Sequence, residues 1–151
     1  MRCGILSWVV LGWLMLAGSA QADSAMVIKV LPHFLDLKGR QSLSPSLYAR
    51  DAYQAKLRRE HDQRSALRFD VQWKASGYTN LKLRVELRGM KEKLPTLRTL
   101  EAPVTKQSWL STWTQLTLGG DDYKAFGELA AWRATLWNGD QMVGEQTSFL
   151  W

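Results

Sequence analysis

The sequence predicts a mainly-β protein, an antiparallel sandwich of about seven short strands with one helix inserted on its surface. Three observations predict it. In "LRFDVQWK", Leu67, Phe69, Val71 and Trp73 alternate with Arg68, Asp70, Gln72 and Lys74. In "LKLRVELR", Leu81, Leu83, Val85 and Leu87 alternate with Lys82, Arg84, Glu86 and Arg88. Period two places one apolar face inward and one charged face in water, whereas a helix would scatter the same residues around its circumference. The third observation is "NGD" between "AAWRATLW" and "QMVGEQTSFLW", a strong short hairpin signal.

In chain order, the first segment is a leader. Arg2 precedes a continuous apolar run from Ile5 to Ala17, and Ala20 and Ala22 stand as the small residues of an A-x-A cleavage site. This pattern predicts an export signal over residues 1–22, cleaved after Ala22. The apolar run falls short of the roughly 20 residues of a spanning helix. No later segment has an apolar run of that length, so no transmembrane segment is expected after the leader. The exported domain would span residues 23–151, a length of 129 residues. Cys3, the only cysteine, leaves with the leader. A domain of this size buries an adequate core without disulfides, and a bacterial periplasmic or secreted location is expected.

"AMVIKVL" predicts the first strand, broken by Pro32 and so suited to an edge, with "HFLDL" resuming it. A helix is expected over about 45–60, with Ser44 as N-cap and Pro45 in the first helical position. Its apolar stripe is ragged, which suits a surface helix covering an open sheet edge. "ASGYTN" turns the chain between the two alternating strands. "TLRTLEAPV" predicts a short edge strand bounded by Pro95 and Pro103, and "WTQLTL" a strand leading into turn residues "GGDD".

The final hairpin is expected to turn through Asn138, Gly139 and Asp140. That register sets Leu136 opposite Met142, Ala134 opposite Gly144 and Trp132 opposite Gln146, and pairs Arg133 with Glu145 on the other face. Trp132 then joins Leu136, Phe69, Val71 and Trp73 inside, while Trp137 shares the outer face with Arg133 and Thr135. Strict alternation from Val143 sends Phe149 and Trp151 outward, and a bulge at Gly144 would turn them inward.

Seven short strands, a first strand broken by proline, Trp73 in the middle of the core and a C-terminal hairpin resemble an immunoglobulin-like or fibronectin type III-like β-sandwich. The resemblance covers about Ala25 to Trp151 as a pattern of strands, without a cysteine pair or a tyrosine corner. It implies a fold and carries no function. It also implies that the Leu81–Arg88 strand neighbours the Ala130–Trp137 strand. Lys82, Arg84, Arg88, Arg133 and Trp137 would then share one basic, tryptophan-bearing face.

Charge is unevenly distributed. Residues 38–98 carry fifteen Lys/Arg against six Asp/Glu, and residues 101–151 carry three against six. Export argues against nucleic acid as the partner of the basic half, and favours an envelope protein or an anionic glycan. No metal, nucleophile-elbow, phosphate-loop or dinucleotide motif occurs, and no cofactor is expected. His33, near Asp36, is read as a satisfied strand-end histidine, and His61 as part of a solvated helix end. Asp121 and Asp122 sit in a glycine turn, and a pair of acids is what a glycan-acting hydrolase requires; adjacent aspartates more often form turns. The expectation is therefore a non-catalytic exported domain docking on another envelope protein through Lys82, Arg84, Arg88, Arg133 and Trp137. The alternative is a carbohydrate-binding module stacking sugars on Trp137, Trp109 or Trp113.

Overall fold

The computed structural model describes residues 24–104 and 110–151. The leader expected over residues 1–22 and Trp109 lie outside the described residues. Seven strands form two antiparallel sheets. In chain order they are β1 (Ser24–Asp36), β2 (Arg64–Ser76), β3 (Leu81–Lys91), β4 (Leu94–Val104), β5 (Thr112–Gly119), β6 (Glu128–Asn138) and β7 (Gln141–Thr147). Helix α1 (Leu47–Arg59) lies between β1 and β2, and helix α2 (Gly120–Phe126) between β5 and β6. One sheet runs β1-β2-β5 and the other β4-β3-β6-β7.

The two alternating segments are the centres of these sheets. Phe69, Val71 and Trp73 from β2 and Leu83, Val85 and Leu87 from β3 are fully buried in one shared core. Each such side chain contributes about 1.5–3 kcal/mol by leaving water. The Trp73 indole N–H, buried with its ring, donates to Thr114 Oγ1 at 2.9 Å. Polar residues on the alternate positions stay at the two outer faces.

Strand β1 runs unbroken through Pro32, which pairs with Phe69, so "HFLD" belongs to the same strand and Leu37 begins the turn. β1 pairs only with β2 and is an edge, where a missing N–H is tolerated. β4 is the other proline-bearing edge. It is longer than expected, containing Pro95 and Pro103 rather than ending at them. A two-residue turn, Glu92-Lys93, joins it to β3, with both residues at positive φ (50° and 69°). Neither residue type announces such a turn, so β3 extends three residues beyond its expected end at Arg88.

Three further expectations are corrected. Helix α1 begins at Leu47 after Ser46, not at Pro45, because the backbone of Ser46 is still extended, with ψ at 132°. "GGDD" is not a simple turn. Gly120 takes φ +61°, and the chain then coils into α2 with Asp121 and Asp122 in its first turn. That helix delivers Phe126 into the core, fully buried. Gly89 makes room for it: a Cβ there would sit 2.5 Å from the Phe126 ring.

The C-terminal hairpin also differs in register. Asn138 pairs with Gln141 around a two-residue Gly139-Asp140 turn, and a bulge follows between Trp137 and Leu136. Leu136 therefore faces Gly144, Thr135 faces Glu145 and Arg133 faces Thr147. The deciding contact is tertiary. Gly144 lies against the β1 backbone, where a Cβ would already be 3.3 Å from the Ala25 carbonyl oxygen. Trp132 keeps its inward parity but is only half-buried, packed against the core rather than within it.

Candidate interaction surface

The outer face of β4-β3-β6-β7 brings together all five residues expected to share it. Lys82 stands opposite Trp137, Arg84 opposite Thr135, Glu86 opposite Arg133 and Arg88 opposite Ala131. The Arg84 guanidinium lies over the Trp137 ring, 4.8 Å from its centroid. The Trp137 indole N–H donates to Thr135 Oγ1 at 2.8 Å, so the ring lies down on the sheet and covers Thr135, which is fully buried. Trp137 is consequently half-buried, and its ring is a poor free plane for a sugar.

Trp151 completes the face. β7 ends at Thr147, and Ser148 hooks the chain back onto β6. Its backbone N–H donates to the Trp132 carbonyl at 2.9 Å, and its Oγ accepts from the Trp132 N–H at 3.0 Å. The turn that follows lays Trp151 beneath two guanidiniums, with Arg88 3.9 Å and Arg133 5.1 Å from its centroid. Phe149 points fully into solvent. Parity alone could not place Trp151, because the strand stops before it.

The face is less basic than the chain segment that supplies it. Glu101 on β4 accepts from Lys82 at 3.1 Å and from Arg84 at 2.7 Å. Those two bonds, from Lys82 and then Arg84, hold the Glu101 carboxyl below its ordinary value. Arg133 pairs with Glu86 at 2.7 Å and reaches Glu145 at 3.7 Å. Among the described residues, Arg88 has no carboxylate partner; its guanidinium rests on Trp151 alone. The sequence excess counted cations along the chain, whereas the sheet sets acids from β3, β4 and β7 beside them. An Arg–indole stack at an exposed site is worth about 0.5–1 kcal/mol. Its effect here is mainly to hold flat, open-edged guanidiniums in fixed positions.

The remaining sequence candidates are distributed elsewhere. His33 is buried under α1 on the outer face of the other sheet, 3.7 Å from Asp70 rather than beside Asp36. Burial lowers its pKa. Asp70 opposes that shift, while Arg50 and Arg68 reinforce it. The folded state thus keeps His33 neutral, and its contribution to stability is lost as pH falls below about 6.5, where the unfolded chain takes up the proton. Asp36 is instead the acceptor of a tight loop, bonded by Arg40, Tyr53 and the Lys38 and Arg40 backbone N–H groups. His61 sits 3.0 Å from Glu128. Asp121 and Asp122 are exposed and pair separately, with Lys124 and Arg98. Among the described residues, no cluster of three metal-ligating side chains forms, and no helix is long and apolar enough to cross a membrane.

Two residues that matter were not singled out by sequence. Gln54 on α1 accepts from the Phe34 N–H at 2.8 Å and donates to the Phe34 carbonyl at 2.9 Å. It thereby closes the open edge of β1 with a side-chain amide and confirms the edge-covering place of α1. Buried Arg64 caps the end of α1, donating to the carbonyls of Leu57 and Arg58. It also pairs with Glu128 at 2.8 Å and stacks on Phe34 at 4.0 Å. A glutamine in a ragged helical stripe and one arginine among eleven carry no sequence signal for these roles.

Comparison with protein families, with curated proteins and with solved structures found no match for this chain.

Proposed function

We propose that this is a non-catalytic interaction domain of the bacterial envelope, exported by its leader, which docks on another protein through the outer face of β4-β3-β6-β7. One observation carries the reading. Three guanidiniums are stacked on two indoles across a single sheet face: Arg84 on Trp137, and Arg88 and Arg133 on Trp151. Tryptophan and arginine are the residues that most often dominate protein interfaces. Side chains already fixed before binding lose little conformational freedom when a partner arrives.

The strand order supports placement among immunoglobulin-like sandwiches. That arrangement sets the first, second, fifth and fourth strands in one sheet and the third, sixth and seventh in the other. Here the fourth strand lies beside the third instead, and the rest of the order is the same. The non-catalytic assignment rests on the motif-poor sequence. Lys82, Arg84 and Arg133 are met by acids on their own sheet, so the partner surface is expected to be mixed in charge, with one carboxylate reserved for Arg88.

The test is capture from envelope extract with the purified chain as bait, alongside Arg84→Ala/Arg88→Ala and Trp151→Ala variants. One stoichiometric partner, held by the wild type and lost with both variants, is the expected result. Capture unchanged in both variants removes this face from the function.

A further inference from the structure

The opposite side of the molecule carries a groove that the docking face does not use. It lies between α1 and the outer face of β1-β2-β5. Two adjoining cavities of about 270 and 450 Å³ share Leu31, His33 and Arg50. Their helical wall carries one row of α1, Arg50, Gln54 and Arg58, spaced i, i+4, i+8 and so about 12 Å long, with Asp51 beside Arg50 at its rim. The floor is the outer face of the sheet, where Leu31, Asp70 and Gln115 stand opposite one another on β1, β2 and β5. At the β5 end stands Trp113, 47% exposed and, among the described residues, without the arginine stacking that covers Trp137 and Trp151.

The chemistry of this groove is specific in three respects. Polypeptide addition to β1 is blocked where α1 crosses it, because Gln54 already occupies the Phe34 N–H and carbonyl. The walls then offer discrete planar polar groups, the Gln115 amide and the NH2 of Gln41, whose oxygen already accepts from Arg68, beside one open indole. That combination suits a ring with an apolar face and an equatorial belt of hydroxyls. Charge is also biased. Asp70 is compensated by Arg68, with Nε at 2.9 Å. Arg50 is held only at 3.4 Å by exposed Asp51, and Arg58 has no carboxylate partner among the described residues. The groove therefore has spare positive charge along its helical wall.

We propose that this groove binds a short carboxylated glycan, with one sugar ring stacked on Trp113, hydroxyls on Gln115 and Gln41, and the carboxylate on Arg50 and Arg58. The proposal is independent of the docking face, which supplies its controls. It gives the alternative of sugar binding a location, a stacking residue and a charge requirement.

The experiment titrates the purified full chain with tri-galacturonate and, in parallel, with neutral chitotriose and a glutamate-rich peptide. Indole and histidine NMR shifts and calorimetry are the readouts. The uronate is expected to bind with a Kd of about 1 mM or tighter, shifting the Trp113 and His33 signals. Trp113→Ala is expected to weaken it at least about tenfold, a loss of about 1.4 kcal/mol. Trp113→Phe should retain most binding, Arg50→Ala/Arg58→Ala should abolish the preference over chitotriose, and Arg88→Ala should change nothing. Trp113 is exposed on an edge strand, and amide spectra establish that each variant keeps the fold. Equal binding of uronate and chitotriose, peptide binding tighter than uronate, or uronate binding unaffected by Trp113→Ala each overturns the proposal, as does the absence of any shift at Trp113.

Discussion

At the scale of single residues, Asp36 shows how one buried carboxylate organises a loop. Burial alone would raise its pKa, but bonds from the Arg40 backbone, Tyr53, the Arg40 side chain and the Lys38 backbone outweigh that and hold it well below the usual carboxylate range. Asp36→Asn keeps the shape but replaces one accepting oxygen with a donor facing Tyr53 and Arg40. It is expected to cost about 2–3 kcal/mol at pH 7 in urea unfolding. Because the folded pKa is depressed, the wild-type advantage is present above the unfolded value near 4 and is lost as pH falls below it. The gap between wild type and variant should therefore narrow in acid, and a gap constant from pH 7 to pH 3 would contradict this account. Gly89 is the complementary case, a residue whose role is to have no side chain, so that Phe126 can enter.

At the scale of elements, the β3–β4 hairpin is closed by a turn that its residues do not favour. Glu92 and Lys93 both hold positive φ, a region that costs an L-residue about 1–2 kcal/mol. The pairing of β3 and β4 along eleven residue pairs overrides that cost. Lys93→Gly should relieve part of it and stabilise the protein by up to about 1 kcal/mol, read as a higher thermal midpoint. A lower midpoint would show that the lysine makes an interaction worth more than its strain. Helix α1 illustrates the opposite relation. Its position was legible from Pro45 and the residues that follow, and its purpose from the edge it had to cover. The means, a glutamine amide standing in for a strand, was not legible, because nothing local distinguishes Gln54 from any solvent-facing glutamine.

At the scale of the whole molecule, Arg64 joins parts that are distant in sequence. It ties the end of α1 to Glu128 at the start of β6, and packs on Phe34 of β1. Arg64→Ala is expected to destabilise by about 2–4 kcal/mol, and Arg64→Lys to rescue little, since only the planar fork reaches both carbonyls and the carboxylate. Full rescue by lysine in denaturant unfolding would mean that charge alone matters at this position. The two outer faces follow the same logic of assembly. Lys82, Arg84, Arg88 and Arg133 were assigned to one surface from strand parity and neighbour order, and they do share it. The neutralisation of Lys82, Arg84 and Arg133 by Glu101, Glu86 and Glu145 depends on which strands lie alongside, as does the shelter that Trp151 finds beneath Arg88.

The sequence by itself determined the class of the fold, its two central strands, the edges marked by proline, the surface helix and the hairpin near Asn138. These follow from periodicity and local backbone chemistry, which act over a few residues. Only the tertiary structure decided the hairpin register, the coiling of "GGDD" into a helix, and the meeting of Trp113 with Arg50 across a groove. Each of those depends on contacts between residues far apart in the chain. Gly144 lies against β1, Phe126 enters beside Gly89, and α1 crosses the edge of a sheet whose far strand carries Trp113. Such contacts leave no period in the sequence, because the energy that selects them appears only when the sheets and the helix pack together.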